Sequence, residues 1–477
     1  MTKIKLDPYD YQLEDFKYLL HKQKGALLHD PGVGKTFGAL LLITYVLETE
    51  GGKALVIVPP ILLDTWYDKI YEYFDTNLKA LKYKGTIKQR SKLNIEAHNI
   101  VIISYDLVVR DYEKLKKFPW NIVTIDESKN VKIGEVKRST STGRMNRFGV
   151  VQALAFKAKY VTVMNGTPLT KDPRDLFHIF QLIKPAVYVT KKNFERIHVI
   201  RGKGKDGFPL ITGWRRLTEL GNMLNKFSRR LLKKDVLKDL PKKRLIIKQF
   251  SLAEKHEKNL RELISFGFLE LKDVSKELVY LQGSALMMEA RRAMFNPKLV
   301  DSKEPSAYLE VLSNLIDDLG TEQFILFGHF HANMDLMKEL LINKKITFTE
   351  LHGRVSAKKK DEAVRLFKSK KVQCLLANPK SAGVGLDLQQ AHNVIFAELD
   401  HEVDGFFQGQ DRVHRPGQTE EVNIFVLIAK NTPAVALFRG IKTNIDFIKQ
   451  VLSGKEEVSV FFDNRITEKE IREWTHL

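Results

Sequence analysis

Leu27–Ile43 reads LLHDPGVGKTFGALLLI, and the reading of this stretch decides the fold. Gly25–His29 is a short apolar run that predicts a strand. Asp30–Gly34 is a turn, and Lys35 opens a segment of nearly continuous apolar character that predicts a buried helix. Strand, glycine turn and helix in this order are the context a phosphate-binding loop requires. Gly32 and Gly34 let backbone N–H groups converge on phosphate oxygens with no Cβ in the way. Lys35 is of the type that neutralises β- and γ-phosphates, the Thr36 hydroxyl suits Mg2+, and the helix N-terminus adds its dipole. A chance Gly-x-Gly turn is the competing reading, and His29 stands where such loops usually open with glycine or alanine.

A second stretch narrows the choice. WNIVTIDESKN, from Trp120, predicts a buried strand over Ile122–Ile125 that ends in Asp126-Glu127. The carboxyl ends of strands are where open α/β sheets place their chemistry. Asp126 suits Mg2+ and Glu127 suits orientation of an attacking water. A solvated acidic loop is the alternative for any Asp-Glu pair, and the largely apolar run Ile122–Ile125 before this one weighs against it.

Bulk properties bound the partners. A chain of 477 residues is too long for one ordinary core, so two or three domains are expected. No apolar run reaches the ~18 residues of a membrane span, and MTKIKLDPYD has no apolar region of a secretory leader. The single cysteine, Cys374 in VQCLLA, excludes a disulfide framework and reads as a buried, inert thiol. An intracellular, cytoplasmic or nucleic-acid-associated setting is expected. Net charge is +20, and Lys191–Arg244 alone holds 17 Lys/Arg against 5 Asp/Glu. Charge concentrated in this way favours a polyanionic partner over solubility alone. No basic amphipathic helix with a bulky apolar face stands out, so nucleic acid is preferred to a membrane surface.

QGQDRVHRPGQ, from Gln408, is expected to place Arg412 and Arg415, three apart, on one face of a helix, with Gly417 and Gln418 ending that face. An arginine of this kind stabilises charge on a γ-phosphoryl group. An ordinary surface pair is the alternative for the arginines taken alone.

Together these stretches resemble a superfamily 2 helicase-type motor of the Swi/Snf family, in order along almost the whole chain. LDPYDYQ resembles the Q-motif, DPGVGKT motif I, ALVIVPPILLDTW motif Ia, IISYD motif Ib, and DESK the acidic motif II. NGTPLTKDPRDLFHIFQLIKP resembles motif III with its following helix, and RRLLKKDVLKDLPKK the arginine-rich link to a second lobe. FILFGHF, with LHGRVSAKKKDEAVRLF after it, is similar to motif IV, NPKSAGVGLDLQQAHNVIF to motif V, and QGQDRVHRPGQ to motif VI.

The resemblance implies an α/β fold of two RecA-like parallel-sheet lobes in tandem, with ATP bound between them. It implies the cofactors ATP and Mg2+, with Gln12 reading adenine and Gly32, Gly34, Lys35, Thr36, Gly385 and Asp387 at the nucleotide. Catalysis falls to Lys35, Asp126, Glu127, Arg412 and Arg415, with Thr36 and Asp126 at the metal. Gly166, Thr167, Pro168 and Gln408 are the coupling residues. Pro59, Ser104, Tyr105, Arg354, Lys380 and Ser381 are expected to grip DNA by motif position, joined by Arg215 and Arg216 of the basic segment.

Two departures stand out. Lys129 replaces the histidine that couples motif II to motif III, so that link is expected to be wired differently. NTPAVALF, after motif VI, lacks the acids of the family's usual helix start.

The expected organisation is lobe one over 1–240, with a basic, helical insertion at about 185–238 protruding from it. Lobe two runs over 241–452, with a helical entry at 251–300 and motifs IV–VI at 324–418, and an extension covers 453–477. GHFH at 328–331 is expected to put its two histidines on one face of a strand, and reads as a strand end and not a metal site; IRGKGKDG reads as a basic surface loop, and 131–148 as a solvated or DNA-ordered loop. The expected protein is a monomeric, ATP-dependent translocase on duplex, forked or branched DNA, serving replication, recombination or repair. A strand-separating helicase is the alternative, and a non-hydrolysing binder stands third. Replication or recombination proteins are the expected protein partners.

Overall fold

The computed structural model describes residues 2–131, 134–137, 139, 143, 145–169, 172–203, 209–266, 283–382, 387–400 and 403–453. Gly385, parts of 131–148, the tip of IRGKGKDG and nearly all of 453–477 lie outside them, as does the side chain of Lys380. The chain forms two compact units that part at Lys238/Asp239, and the described residues from Asp446 group with the first.

The first unit is built on a seven-stranded, all-parallel sheet. Its order across the sheet is Ser228–Arg229, Lys24–Leu27, Tyr160–Met164, Trp120–Ile125, Lys53–Val58, Ile100–Ser104 and Ala80–Tyr83. Helices cover both faces of such a sheet, so its strands read as unbroken apolar runs. Ala54–Val58, Ile100–Ile103 and Ile122–Ile125 are accordingly buried throughout. The helix Lys35–Thr49 is buried along most of its length, as its near-continuous apolar sequence requires.

The second unit carries a six-stranded parallel sheet in the order Lys243–Phe250, Val422–Ala429, Asn393–Phe396, Phe324–Phe327, Cys374–Ala377 and Phe348–Leu351. Two parallel-sheet units with helices are thus present, as expected. Cys374 is fully buried in a central strand, and burial pushes its thiol well above the ordinary value.

Three local expectations are corrected. The basic segment after Lys184 is neither wholly helical nor a protrusion. It forms the helix Lys191–His198, an antiparallel pair Val199–Lys203 with Pro209–Trp214, and the helix Leu217–Phe227. It then enters the main sheet as the edge strand Ser228–Arg229. Tyr188, Phe194, Trp214, Leu220 and Leu224 join the apolar core of the first unit. Their apolar area outweighs the cationic surface in deciding where the segment lies. Secondly, the histidines of GHFH follow the strand Phe324–Phe327 and do not share its face, since His331 opens the helix His331–Asn343. No cluster of three metal-binding side chains occurs among the described residues. Thirdly, the helix Val403–Gln410 ends before Arg412 and Arg415, which lie in the turns after it. Pro416-Gly417, with Gly417 at φ 93°, turns the chain away.

Candidate functional site

Strand register sets the site. Leu27 lies opposite Met164, Val163 opposite Ile125, Ile125 opposite Ile57, and Val58 opposite Ser104. The glycine loop, the segment after Met164, Asp126-Glu127, and the stretches after Val58 and Ser104 therefore leave one carboxyl edge of one sheet side by side. This is the edge where ligands bind in open parallel sheets.

The loop has the backbone its glycines allow. Gly32 and Gly34 have φ of 86° and 88°, in the left-handed region. A Cβ on Gly34 would come within 2.5 Å of Gln12 Nε2, so a larger residue here would displace the tip of the Gln12 side chain. Gln12 is buried, accepts from the Tyr9 N–H at 3.1 Å and donates toward Gly34 O at 3.4 Å. Lys35 Nζ donates to the carbonyls of His29 and Asp30 at 2.8 and 3.1 Å, and Thr36 is half-buried beside it.

His29, the unusual opening residue, is explained by its partners. Its Nδ1 accepts from the Leu231 N–H at 3.1 Å, so Nε2 carries the proton and donates to the Asp15 carboxylate at 2.9 Å. Asp15 also lies 2.8 Å from Arg229 Nε. Burial pushes the His29 pKa down, against Asp15, which raises it, and the imidazole stays neutral. The Asp30 carboxylate accepts from the Lys233 N–H at 3.1 Å. The loop is thus fastened to the helix Asp10–Lys22 and to the segment leaving the first unit's edge strand.

Asp126 is buried and clamped on every side. Its carboxylate accepts from Trp66 Nε1–H and from the Glu127 N–H, each at 2.9 Å, and the Tyr105 hydroxyl donates to its carbonyl at 2.5 Å. Burial and the Glu127 charge push its pKa up to about 6, while Trp66 and the nearby Lys35 hold it down. Glu127 has φ 51°, unusual for a residue with a Cβ. Its Oε2 is buried, accepts no hydrogen bond and lies 3.5 Å from Lys129 Nζ.

Gly166 packs where a Cβ would meet Pro31 at 2.8 Å, which brings the segment after Met164 against the glycine loop. The Thr167 N–H donates to Asn165 Oδ1 at 3.0 Å, and Pro168 continues this loop.

In the second unit, Arg412 is buried and its Nε donates to Gln408 O at 3.2 Å. Arg415 donates Nε–H to Asp411 O at 2.6 Å and Nη1–H to the Asp387 carboxylate. Gln418 is also buried, donating to the Gln389 and Ala391 carbonyls at 3.2 and 3.0 Å and accepting from the N–H groups of Thr419 and Glu420. It fixes the loop after Arg415.

The residues expected to grip nucleic acid divide by exposure. Pro59, Ser104 and Tyr105 are buried, so their side chains are not placed at the surface, and Tyr105 serves as a strut under Asp126. Pro60 and Ile61 are the exposed neighbours in that first stretch. Arg354, Arg215 and Arg216 are exposed and Ser381 is half-buried. Arg215 is committed locally, donating Nε–H and Nη2–H to the carbonyls of Ile197 and Arg196 at 3.2 and 2.7 Å, where it caps a helix end.

Trp66, Asn165, Ser128 and His178 belong to the site region but were not singled out in the sequence. Each lies inside a quoted motif stretch, but the stretch assigns it no role, because its partners are distant in the chain. Glu398 was missed likewise. It lies in the second unit and accepts from the N–H groups of His329 and Phe330 and from Asn333 Nδ2–H, at 2.7, 3.1 and 2.6 Å.

The parallel sheet, the positive-φ glycine loop and the clamped carboxylates at one strand edge define an open α/β protein of the P-loop type. The chain belongs to the SNF2-related family. It matches the SNF2-related domain over residues 11–299 and the helicase conserved C-terminal domain over residues 307–417. It is 22% identical to the mouse chromodomain-helicase-DNA-binding protein 1-like, covering 93% of this chain and 50% of that one. It is 24% identical to the Saccharomyces cerevisiae transcription regulatory protein SNF2, covering 97% of this chain and 28% of that one. The chain therefore spans half or less of these relatives. A solved Sulfolobus solfataricus SWI2/SNF2 ATPase core in complex with dsDNA is 22% identical, with TM-score 0.44 and coverage of 95% of this chain and 94% of that one. Among the described residues, no helix is long and apolar enough to cross a membrane.

Proposed function

We propose that this chain is an ATP-driven motor that moves along the DNA backbone of duplex, forked or branched DNA. The observation that carries the proposal is the meeting of the glycine loop with Asp126 and Glu127 at one strand edge, close enough for Lys35 to lower the Asp126 pKa. The pieces fit a Mg2+–triphosphate. The glycine loop holds Gly32 and Gly34 in the left-handed region, and Glu127 Oε2 is a buried acceptor with no hydrogen bond, 3.5 Å from Lys129 Nζ.

In this reading Lys35 and the loop N–H groups hold the phosphates, and Thr36 with Asp126 would hold Mg2+. The metal, when bound, neutralises phosphate charge and orients the leaving group. Trp66 keeps Asp126 aimed and ionised, and Glu127 orients the attacking water. Arg412 and Arg415, with Asp387 setting the second, stabilise charge on the transferred phosphoryl group. Gln12 selects adenine. DNA is held through phosphates by exposed cations such as Arg216 and Arg354, so binding is sequence-tolerant and salt-dependent. The basic segment Lys191–Arg244 and the mouse relative's name, which includes helicase and DNA-binding, support a DNA partner. Roles in repair, recombination or replication are carried only as part of this proposal.

The test is ATP turnover with no nucleic acid, single strand, blunt duplex and a four-way junction, with Lys35→Ala as the blank. Stimulation by duplex or junction supports translocation. Stimulation by single strand alone replaces it with strand separation. Absence of turnover on every substrate removes the motor reading.

A further inference from the structure

Lys129 leaves the first unit without the histidine that the family resemblance puts next to the catalytic carboxylates. A different set of buried polar groups joins the same two segments. Ser128, Asn165 and His178 are all fully buried. His178 lies in the helix Phe177–Ile183, every residue of which is buried.

Their hydrogen bonds run in one direction. His178 Nδ1 is 2.5 Å from Asp175 O, and a carbonyl only accepts, so Nδ1 carries the ring proton. In the neutral ring Nε2 is then an acceptor, and the Ser128 Oγ–H donates to it at 3.0 Å. The Ser128 oxygen keeps lone pairs, and Asn165 Nδ2–H donates to it at 3.4 Å. Asn165 Oδ1 in turn accepts the Thr167 N–H at 3.0 Å. The chain begins and ends on the segment Asn165–His178, and its middle member sits one residue after Glu127.

That position matters for catalysis. Glu127 Oε2 accepts no hydrogen bond and has Lys129 Nζ beside it at 3.5 Å, so the backbone of the turn carries much of its aim. That backbone holds a left-handed φ of 51° that the surroundings must impose. Its carbonyl accepts from Asn130 N–H and Nδ2–H at 3.0 and 2.9 Å on the far side of the turn. Ser128 is the anchor on the near side.

We propose that Ser128 and His178 are a positioning pair that fixes the Glu127 turn to the Thr167 loop, in place of a histidine at residue 129. The inference rests on the ATPase reading of the site. Neither residue touches the reacting atoms; each acts through Glu127 and Thr167.

The experiment compares wild type, S128A, H178L, the double variant, H178Q and K129A in ATP turnover with and without duplex DNA. Outer-layer partners of this kind are worth about 10–100-fold. S128A and H178L should each lower kcat about tenfold, with the KM for ATP changed less than about twofold. The double variant should be no worse than either single, because both cut one chain. H178Q, whose Oε1 can accept the Ser128 proton, should recover most of the kcat lost in H178L. K129A should lose less than S128A. Single variants within about twofold of wild type, or a double loss equal to the product of the singles, overturn the pairing. A readout free of turnover is the 15N imidazole spectrum, with the His178 signal identified by its loss in H178Q. A neutral ring protonated on Nδ1 and perturbed by S128A is expected; a proton on Nε2 overturns the chain. Wild type without turnover would remove the ATPase reading, and the imidazole spectrum would still decide the contact.

Discussion

The two sheets present functional side chains at their edges in different ways. In the first unit, several key groups are pinned by residues far away in sequence. Trp66 and Tyr105 hold Asp126, Gln12 abuts Gly34, and Asp15 with Leu231 holds His29. In the second unit, Arg412 and Arg415 each bond Nε–H to the carbonyl four residues before, and Asp387 adds a partner from the preceding loop. The first edge is pre-organised by tertiary structure. The second is organised largely by its own turn, with Asp387 holding the Arg415 guanidinium. The proposed function assigns phosphate binding to the first edge and the response to phosphoryl charge to the arginine pair.

The largest effect expected from that contrast is at the arginines. Arg415→Ala should lower ATP turnover by about 10³-fold or more, with nucleotide affinity, read by fluorescent-nucleotide titration, changing far less. Equal losses of affinity and turnover would erase the distinction between the edges. Next is Trp66→Phe, which removes the donor that holds the Asp126 pKa down. Turnover near pH 7 should fall about three- to tenfold and recover as pH rises; a loss independent of pH would make Trp66 a packing residue only.

Wild type carries its own pH signature. Burial and Glu127 raise Asp126 to about 6, and Mg2+ needs the ionised carboxylate. Mg2+ affinity in the presence of nucleotide should therefore climb through about pH 6 and level off above. Stability runs the other way for this group. Its raised folded-state pKa gives a contribution fully present below its unfolded value and lost as pH rises through about 6. Mg2+ titrations by calorimetry at several pH values check the midpoint, and a flat profile would contradict the clamped carboxyl.

His29→Ala should cost about 1–3 kcal/mol in denaturant unfolding of the first unit, because it strips a partner from buried Asp15 and from the Leu231 N–H. The smallest effect is Arg216→Ala, which should weaken duplex binding modestly and reduce the salt slope by about one. An unchanged slope would move the DNA path away from this segment.

What was readable in the sequence was local. The strand–turn–helix at Leu27–Ile43 and the apolar run into Asp126 each declare their geometry within a dozen residues, and parallel sheets put such strand ends together. What was not readable depends on partners far along the chain. Nothing near His29 announces Leu231, and nothing near Ser128 announces His178. Burial was equally hidden at Pro59, Ser104 and Tyr105, since motif position does not say which way a side chain faces. The helix expected to carry Arg412 ended at Gln410, where the chain passes into the turns that lead to Pro416-Gly417. The basic segment misled because its charges are conspicuous and its core residues, Phe194, Trp214 and Leu220, are sparse.

The central claim is that the first unit's strand edge binds ATP and that Glu127 activates the water. The most direct measurement pairs nucleotide binding with turnover in Glu127→Gln. The account expects affinity for ATP within about threefold of wild type and turnover lower by about 10²–10⁴-fold. Turnover at the wild-type rate would contradict it.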